Sequence, residues 1–143
     1  MSGATAVAAG DYQTCAILTG GGVQCWGREG EASNRVTPAT VQGVTGATFL
    51  ALGEGHACAV VDEGRVACWG YNHSGQLGDG TTEYRSSPVT VEGLASVAAL
   101  AASEGHTCAL LSSGGVQCWG SNSEGQLGDG SEQGWPAPVT VTH

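Results

Sequence analysis

Positive charge is scarce in this chain. Four Lys and Arg stand against 13 Asp and Glu in 143 residues, a formal net charge of −9. A phosphate backbone would meet net repulsion, which removes nucleic-acid binding from the candidate functions. Long apolar runs are missing as well. No stretch approaches the roughly 18 residues of a membrane-spanning helix, so no membrane partner is expected. The opening Met1-Ser2-Gly3-Ala4 has neither a basic start nor an apolar core, as expected where an export signal is absent or already removed. Also absent are a Gly-x-Ser-x-Gly elbow, a His-Glu-x-x-His zinc motif and a phosphate-binding glycine loop ending in Lys. Carboxylates are plentiful, but nothing fixes two in one pocket. The expectation is therefore a protein that is not an enzyme and uses no cofactor. What the chain has in excess is glycine, with 25 residues. Against a usual share of roughly 7%, that predicts many turns and excludes a helical bundle.

The chain is written in three copies. Gly53-Glu54-Gly55-His56-Ala57-Cys58-Ala59-Val60 recurs as Ser103-Glu104-Gly105-His106-Thr107-Cys108-Ala109-Leu110, and more loosely as Gly10-Asp11-Tyr12-Gln13-Thr14-Cys15-Ala16-Ile17. Cys-Trp-Gly follows in each copy as Cys25-Trp26-Gly27, Cys68-Trp69-Gly70 and Cys118-Trp119-Gly120. Copies two and three share Gly-Gln-Leu-Gly-Asp-Gly at 75–80 and 125–130, then close on Pro88-Val89-Thr90-Val91 and Pro138-Val139-Thr140-Val141. The repeats span 3–45, 46–94 and 95–143 of a single domain, 1–143. Trp26 and Pro38 are twelve positions apart, whereas Trp69 to Pro88 and Trp119 to Pro138 are nineteen. Copy one therefore lacks seven residues. Its Arg28–Arg35 stretch holds two of the four basic residues, either as a partner site or as an atypical capping loop.

Within each copy the apolar residues alternate with period two. A hairpin folds around residue 63, with Gly21, Gly64 and Gly114 at the third loop position, where a type I turn followed by a left-handed residue favours glycine. Two further short runs per copy, such as Phe49-Leu50-Ala51-Leu52 and Pro88–Val91, bring the count to about four strands in about 49 residues, the size of a β-propeller blade. The predicted fold is all-β, with three four-stranded antiparallel blades. The motifs Glu-Gly-His-x-Cys-Ala, Gly-x-Val-x-Cys-Trp-Gly, Asn-x-x-Gly-Gln-Leu-Gly-Asp-Gly and Pro-Val-x-Val resemble the regulator of chromosome condensation repeat over nearly the whole chain. That resemblance implies propeller blades, usually seven to a ring. It leaves function open, since the family includes an exchange factor, a photoreceptor and a bacterial secreted branch with a β-lactamase inhibitor.

Six cysteines form three pairs of identical spacing: Cys15 with Cys25, Cys58 with Cys68, Cys108 with Cys118. Each pair faces across its own hairpin, and of fifteen possible pairings this local one repeats the unit's symmetry. Three disulfides within blades are expected, and with them an extracellular or periplasmic setting. A zinc alternative uses His56 or His106 with the two cysteines, but copy one has Gln13 there and no fourth ligand recurs. Trp26, Trp69 and Trp119 are expected between blades, and His56 and His106 as hydrogen-bonding residues at strand starts. Asp79 and Asp129 read as turn residues, with calcium binding as the alternative. Asn72-His73-Ser74 fits a glycosylation sequon.

Three blades are too few for a ring, and the open ends would expose apolar faces and strand edges. A head-to-tail homodimer of six blades is the simplest closure, with Val139-Thr140-Val141 completing the partner's first blade. The rival reading is an excised or designed piece of a longer propeller with a structural role. As a binding module, the chain would present loops that differ among copies to a protein or glycan partner. The candidate contact residues are Arg28, Glu29, Glu31 and Arg35 in copy one, Tyr71, His73, Tyr84 and Arg85 in copy two, and Trp135 in copy three. Trp135 is the expected anchor, unless it folds onto its own blade. An enzymatic site in the ring cavity is the remaining alternative.

Overall fold

The alternating pattern of each copy produces four strands in sequence order. A computed structural model describes residues 1–29 and 33–142. Blade 1 comprises β1 (Ala4–Ala9), β2 (Gln13–Leu18), β3 (Val23–Glu29) and β4 (Ser33–Thr40). Blade 2 comprises β5 (Phe49–Leu52), β6 (His56–Val60), β7 (Val66–Gly70) and β8 (Arg85–Thr90). Blade 3 comprises β9 (Val97–Ala102), β10 (His106–Leu111), β11 (Val116–Gly120) and β12 (Trp135–Thr140). Each blade is a separate antiparallel meander whose strands pair in chain order. The first strands pack on one another, β1 on β5 and β5 on β9.

The last strand corrects one expectation. Val139 and Thr140 pair with Cys118 and Gln117 of β11, so β12 finishes its own blade and does not complete a partner's first blade. The β11–β12 connection, residues 121–134, closes this pairing within one chain, which costs less than ordering a second molecule.

The hairpin tips carry the expected left-handed glycines, Gly21, Gly64 and Gly114. Two tips differ in detail, because Gly20 and Glu63 also have positive φ, giving the doubly left-handed turn that follows strand twist. Cys-Trp-Gly has an equally local cause. Pairing slips between Cys68 and Gly70 against β8, and Gly70, at φ 109°, lies where a β-carbon would stand 2.4 Å from the Gly55 carbonyl oxygen. Gly27 and Gly120 repeat that crowding. Glycine is therefore required after each tryptophan.

The cysteines pair as expected. Cys15–Cys25, Cys58–Cys68 and Cys108–Cys118 sit directly opposite one another and form three disulfides, with Cα atoms 4.0–4.1 Å apart. Their sulfurs are committed to one another, which overturns the zinc alternative.

Among the described residues, the buried apolar side chains gather between blades. One apolar cluster lies between blades 1 and 2, with Ile17, Val23, Leu50, Leu52 and Trp69, and a second between blades 2 and 3, with Val60, Val66, Leu77, Leu100 and Trp119. Trp69 and Trp119 thus fill the seams between blades. Trp26, on the outward side of blade 1, is only half-buried.

Candidate functional site

The β1–β2, β5–β6 and β9–β10 connections emerge on one face, together with the β7–β8 and β11–β12 loops. These last two loops are long, and a buried asparagine organises each. Asn72 Nδ2 donates to the carbonyls of Thr81 and Glu83, both at 3.0 Å, while its Oδ1 accepts from the Leu77 amide at 3.0 Å. Asn122 repeats this with Ser131, Gln133 and Leu127. Both asparagines are buried, so Asn72 is not a glycan acceptor and the sequon is accidental. This role escaped the sequence reading. Its signal was present in the recurrence of Asn seven residues before Asp in both copies.

Asp79 and Asp129 close the same loops. Asp79 Oδ1 accepts from the Thr81 amide and hydroxyl, and its Oδ2 from Arg85 Nε at 3.0 Å. Burial pushes the Asp79 carboxyl upward, but the Thr81, Arg85 and Asn72 hydrogen bonds outweigh it and hold the group below the usual carboxylate range. Asp129 is lowered by the Ser131 hydroxyl and amide, with smaller help from Trp135 and Asn122. These carboxylates are occupied by their own loops, which displaces the calcium alternative.

Arg35, Arg85 and Trp135 occupy one register, opposite Gly27, Gly70 and Gly120. Trp135 Nε1 donates to Asp129 Oδ2 at 3.0 Å in the slot that Arg85 fills on Asp79. Its indole is thus pinned to its own blade, with 38% of the residue exposed.

Most of the other candidates converge on the seam of blades 1 and 2. Tyr71 stacks on His73 with ring centroids 5.4 Å apart and meets Tyr84 edge-on at 5.9 Å. Across the seam, the Arg28 guanidinium lies 5.6 Å from the Tyr12 ring centroid. Between them is a cleft of about 300 Å³ lined by Tyr12, Arg28, Glu54, Tyr71, His73 and Glu104. A second cavity of about 200 Å³ opens where copy one is short, bordered by Gln13, Arg35, Trp69 and Pro88. Trp135 stands apart, beside the seam of blades 2 and 3, where Pro136 packs on Gly75. Glu29 ends β3, and Glu31 lies outside the described residues. Tyr12, Glu54 and Glu104 were missed by the sequence reading. Tyr12 had a legible signal, since it replaces the glycine that stands there as Gly55 and Gly105.

Below this face His56 is buried. Thr107 Oγ1 donates its single proton to the Gln76 carbonyl at 2.9 Å, so at its other contact it accepts, and His56 Nε2–H is the donor at 2.9 Å. Trp119 Nε1 donates to the same carbonyl at 2.8 Å. Among the described residues, His56 Nδ1 is left as a buried lone pair without a partner. Burial, with a smaller contribution from His106, lowers the His56 pKa from 6.5 to about 4.

The sequence profile of the regulator of chromosome condensation (RCC1) repeat matches residues 4–31, 48–76 and 97–126, and a second profile of the same repeat matches 63–110. The chain belongs to the RCC1 repeat family. Among solved structures, yeast RCC1 (Prp20) bound to Kap60 is 26% identical, with a TM-score of 0.82, over 98% of this chain and 35% of that one. Prp20p from Saccharomyces cerevisiae, described with its binding properties to Gsp1p and histones, is 25% identical, with a TM-score of 0.81, over 98% of this chain and 36% of that one. Human WBSCR16 is 26% identical, with a TM-score of 0.85, over 98% of this chain and 40% of that one. The chain therefore spans 35–40% of the length of these solved relatives. No curated protein matches it by sequence.

Proposed function

We propose that this chain is a non-catalytic propeller segment that binds a protein partner through the cleft over blades 1 and 2, with Glu104 of blade 3 at its rim. The observation carrying this reading is the gathering of Tyr12, Arg28, Tyr71 and His73 from two blades around one cleft, with Tyr84 edge-on against Tyr71. Aromatic rings with low conformational freedom, beside one guanidinium and the carboxylates of Glu54 and Glu104, are the composition of an interface anchor. Related propellers support it, since yeast RCC1 was solved bound to Kap60 and Prp20p is described as binding Gsp1p and histones. Arg35, Arg85 and Trp135 then form the flank of the surface, and a glycan is the alternative occupant of the cleft. The three disulfides favour an oxidising compartment, extracellular or periplasmic.

The test is affinity capture from the secreted fraction of the source, with the oxidised chain and its Tyr71→Ala/Tyr84→Ala variant. A protein held by the first and lost by the second, with both folded by circular dichroism, is the expected result. A partner held equally by both overturns the cleft assignment, and binding to a glycan array alone moves the reading to a glycan.

The same reading takes residues 1–143 as one half-ring, repeats 3–45, 46–94 and 95–143, completed by a second copy. Light scattering should then give about 28 kDa, twice the 14.2 kDa chain. A mass of one chain overturns it.

A further inference from the structure

The seam of blades 2 and 3 shows what a complete junction contains. From the leading blade come His56, the Gln76 carbonyl and the apolar pair Val60 and Val66, which are 3% and 1% exposed. From the following blade come Thr107, Trp119 and Leu100, with Thr107 and Trp119 donating to the Gln76 carbonyl and His56 donating to Thr107.

The seam of blades 1 and 2 keeps the tryptophan, as Trp69, but lacks the rest of this relay. Copy one has no Gly-Gln-Leu-Gly loop to supply the carbonyl, Gln13 replaces the histidine and Ala57 replaces the threonine. Histidine, hydroxyl and carbonyl are thus present together or absent together.

The two outer faces of the chain hold the two halves of the complete type. The open face of blade 3 repeats the leading set as His106, Gln126, Leu110 and Val116, with Leu110 and Val116 44% and 37% exposed. The open face of blade 1 repeats the following set as Thr14, Trp26 and Val7, with Val7 68% exposed where Leu50 and Leu100 are 8% and 7%. Among the described residues Thr14, Trp26 and His106 make no side-chain hydrogen bond. A hydroxyl at position 14 matches a preceding blade that carries the loop. Within the half-ring reading, blade 2 already uses its loop on blade 3, and blade 3 of the second copy carries one that is free.

Resting on the half-ring reading above, we infer that blade 3 of one copy docks on blade 1 of a second as blade 2 docks on blade 3. In this junction Thr14 and Trp26 donate to the Gln126 carbonyl of the second copy and accept, at Thr14, from its His106. Two such junctions close a six-bladed ring with two-fold symmetry. The hairpin tip agrees: Gly21 and Gly64 press on Gly46 and Ser96 of the next blade, while Gly114 keeps the same left-handed conformation with nothing within 4 Å of its missing β-carbon. Ser103 sets the one difference. It stands where Gly10 and Gly53 let the next backbone approach, so the junction between copies is wider at its inner edge.

The orientation is tested by mixing. Val7→Lys and Leu110→Lys each spoil both junctions of a homodimer and should each give a single-chain mass, with unchanged circular dichroism. Mixed, they leave one junction with both faces intact and should recover about 28 kDa, twice the chain. A pairing of like faces keeps an intact junction in one of the single variants, so a dimer of either variant alone, or no recovery on mixing with wild type still a dimer, overturns the head-to-tail junction and leaves a dimer of another kind. A single-chain mass for wild type at all concentrations overturns the half-ring reading itself. Thr14→Val should raise the dimer Kd at least about tenfold and Thr14→Ser by less than about threefold. Equal affinities for the two variants overturn the Thr14 relay.

Discussion

His56 is held neutral by its surroundings, and its protonation is linked to stability. Its pKa falls from 6.5 to about 4 on folding. Between these values the unfolded chain binds a proton that the folded chain refuses, so stability present above pH 6.5 is lost as pH falls toward 4. The loss should be about 3 kcal/mol, read as the change in urea midpoint between pH 7 and pH 4. His56→Gln should remove most of that difference, and an unchanged slope in the variant would assign the acid sensitivity to other groups. Gly70 makes a second residue-scale case. Gly70→Ala places a β-carbon at φ 109° and 2.4 Å from a backbone oxygen, and should cost about 2 kcal/mol or more in thermal unfolding. The need for glycine here was readable as the thrice-repeated Cys-Trp-Gly. The relay from His56 was not, because Thr107 and Gln76 lie 51 and 20 positions away and meet it only across a seam.

At the scale of the element, the blades are hairpins stapled by disulfides and loops stapled by asparagine. Closing a loop of about ten residues removes roughly 2.5–3 kcal/mol of denatured-state freedom per bridge in the chain-entropy view. Cys58→Ala/Cys68→Ala should therefore lower the melting temperature markedly more than any surface substitution, and a shift near zero would mean the blade is stabilised by packing alone. Asn122 satisfies the amide of Leu127 and the carbonyls of Ser131 and Gln133 from a buried position. Asn122→Ala should cost about 3 kcal/mol and raise amide exchange throughout 123–134, which hydrogen exchange reads directly. The cysteine bridges were legible because facing positions on one hairpin follow from period-two counting. The asparagine loop was legible only as a repeated motif, since irregular backbone has no periodicity from which to place a donor.

For the whole molecule, apolar burial lies between blades and not within them, so stability is shared between neighbours in the manner of a solenoid. A chain ended after residue 94 loses Leu100 and Trp119 from the second cluster and leaves Val60, Val66 and Leu77 bare. Such a two-blade piece should bind a hydrophobic dye and melt without cooperativity. A sharp transition at the wild-type temperature would show that the seams are not what holds the blades.

The sequence by itself determined what depends on near neighbours and on repetition: the strand period, the hairpin tips at Gly21, Gly64 and Gly114, the three cysteine bridges and the blade count. Such features follow from backbone geometry within about a dozen residues, and writing them three times separates signal from accident. Only the tertiary structure decided that β12 closes its own blade, that Trp135 bonds to Asp129, and that Tyr12 shares a cleft with Tyr71 and His73. The first two outcomes depend on the path of the irregular loop 121–134, which has no period to read, and the third on which surfaces meet when two sheets pack.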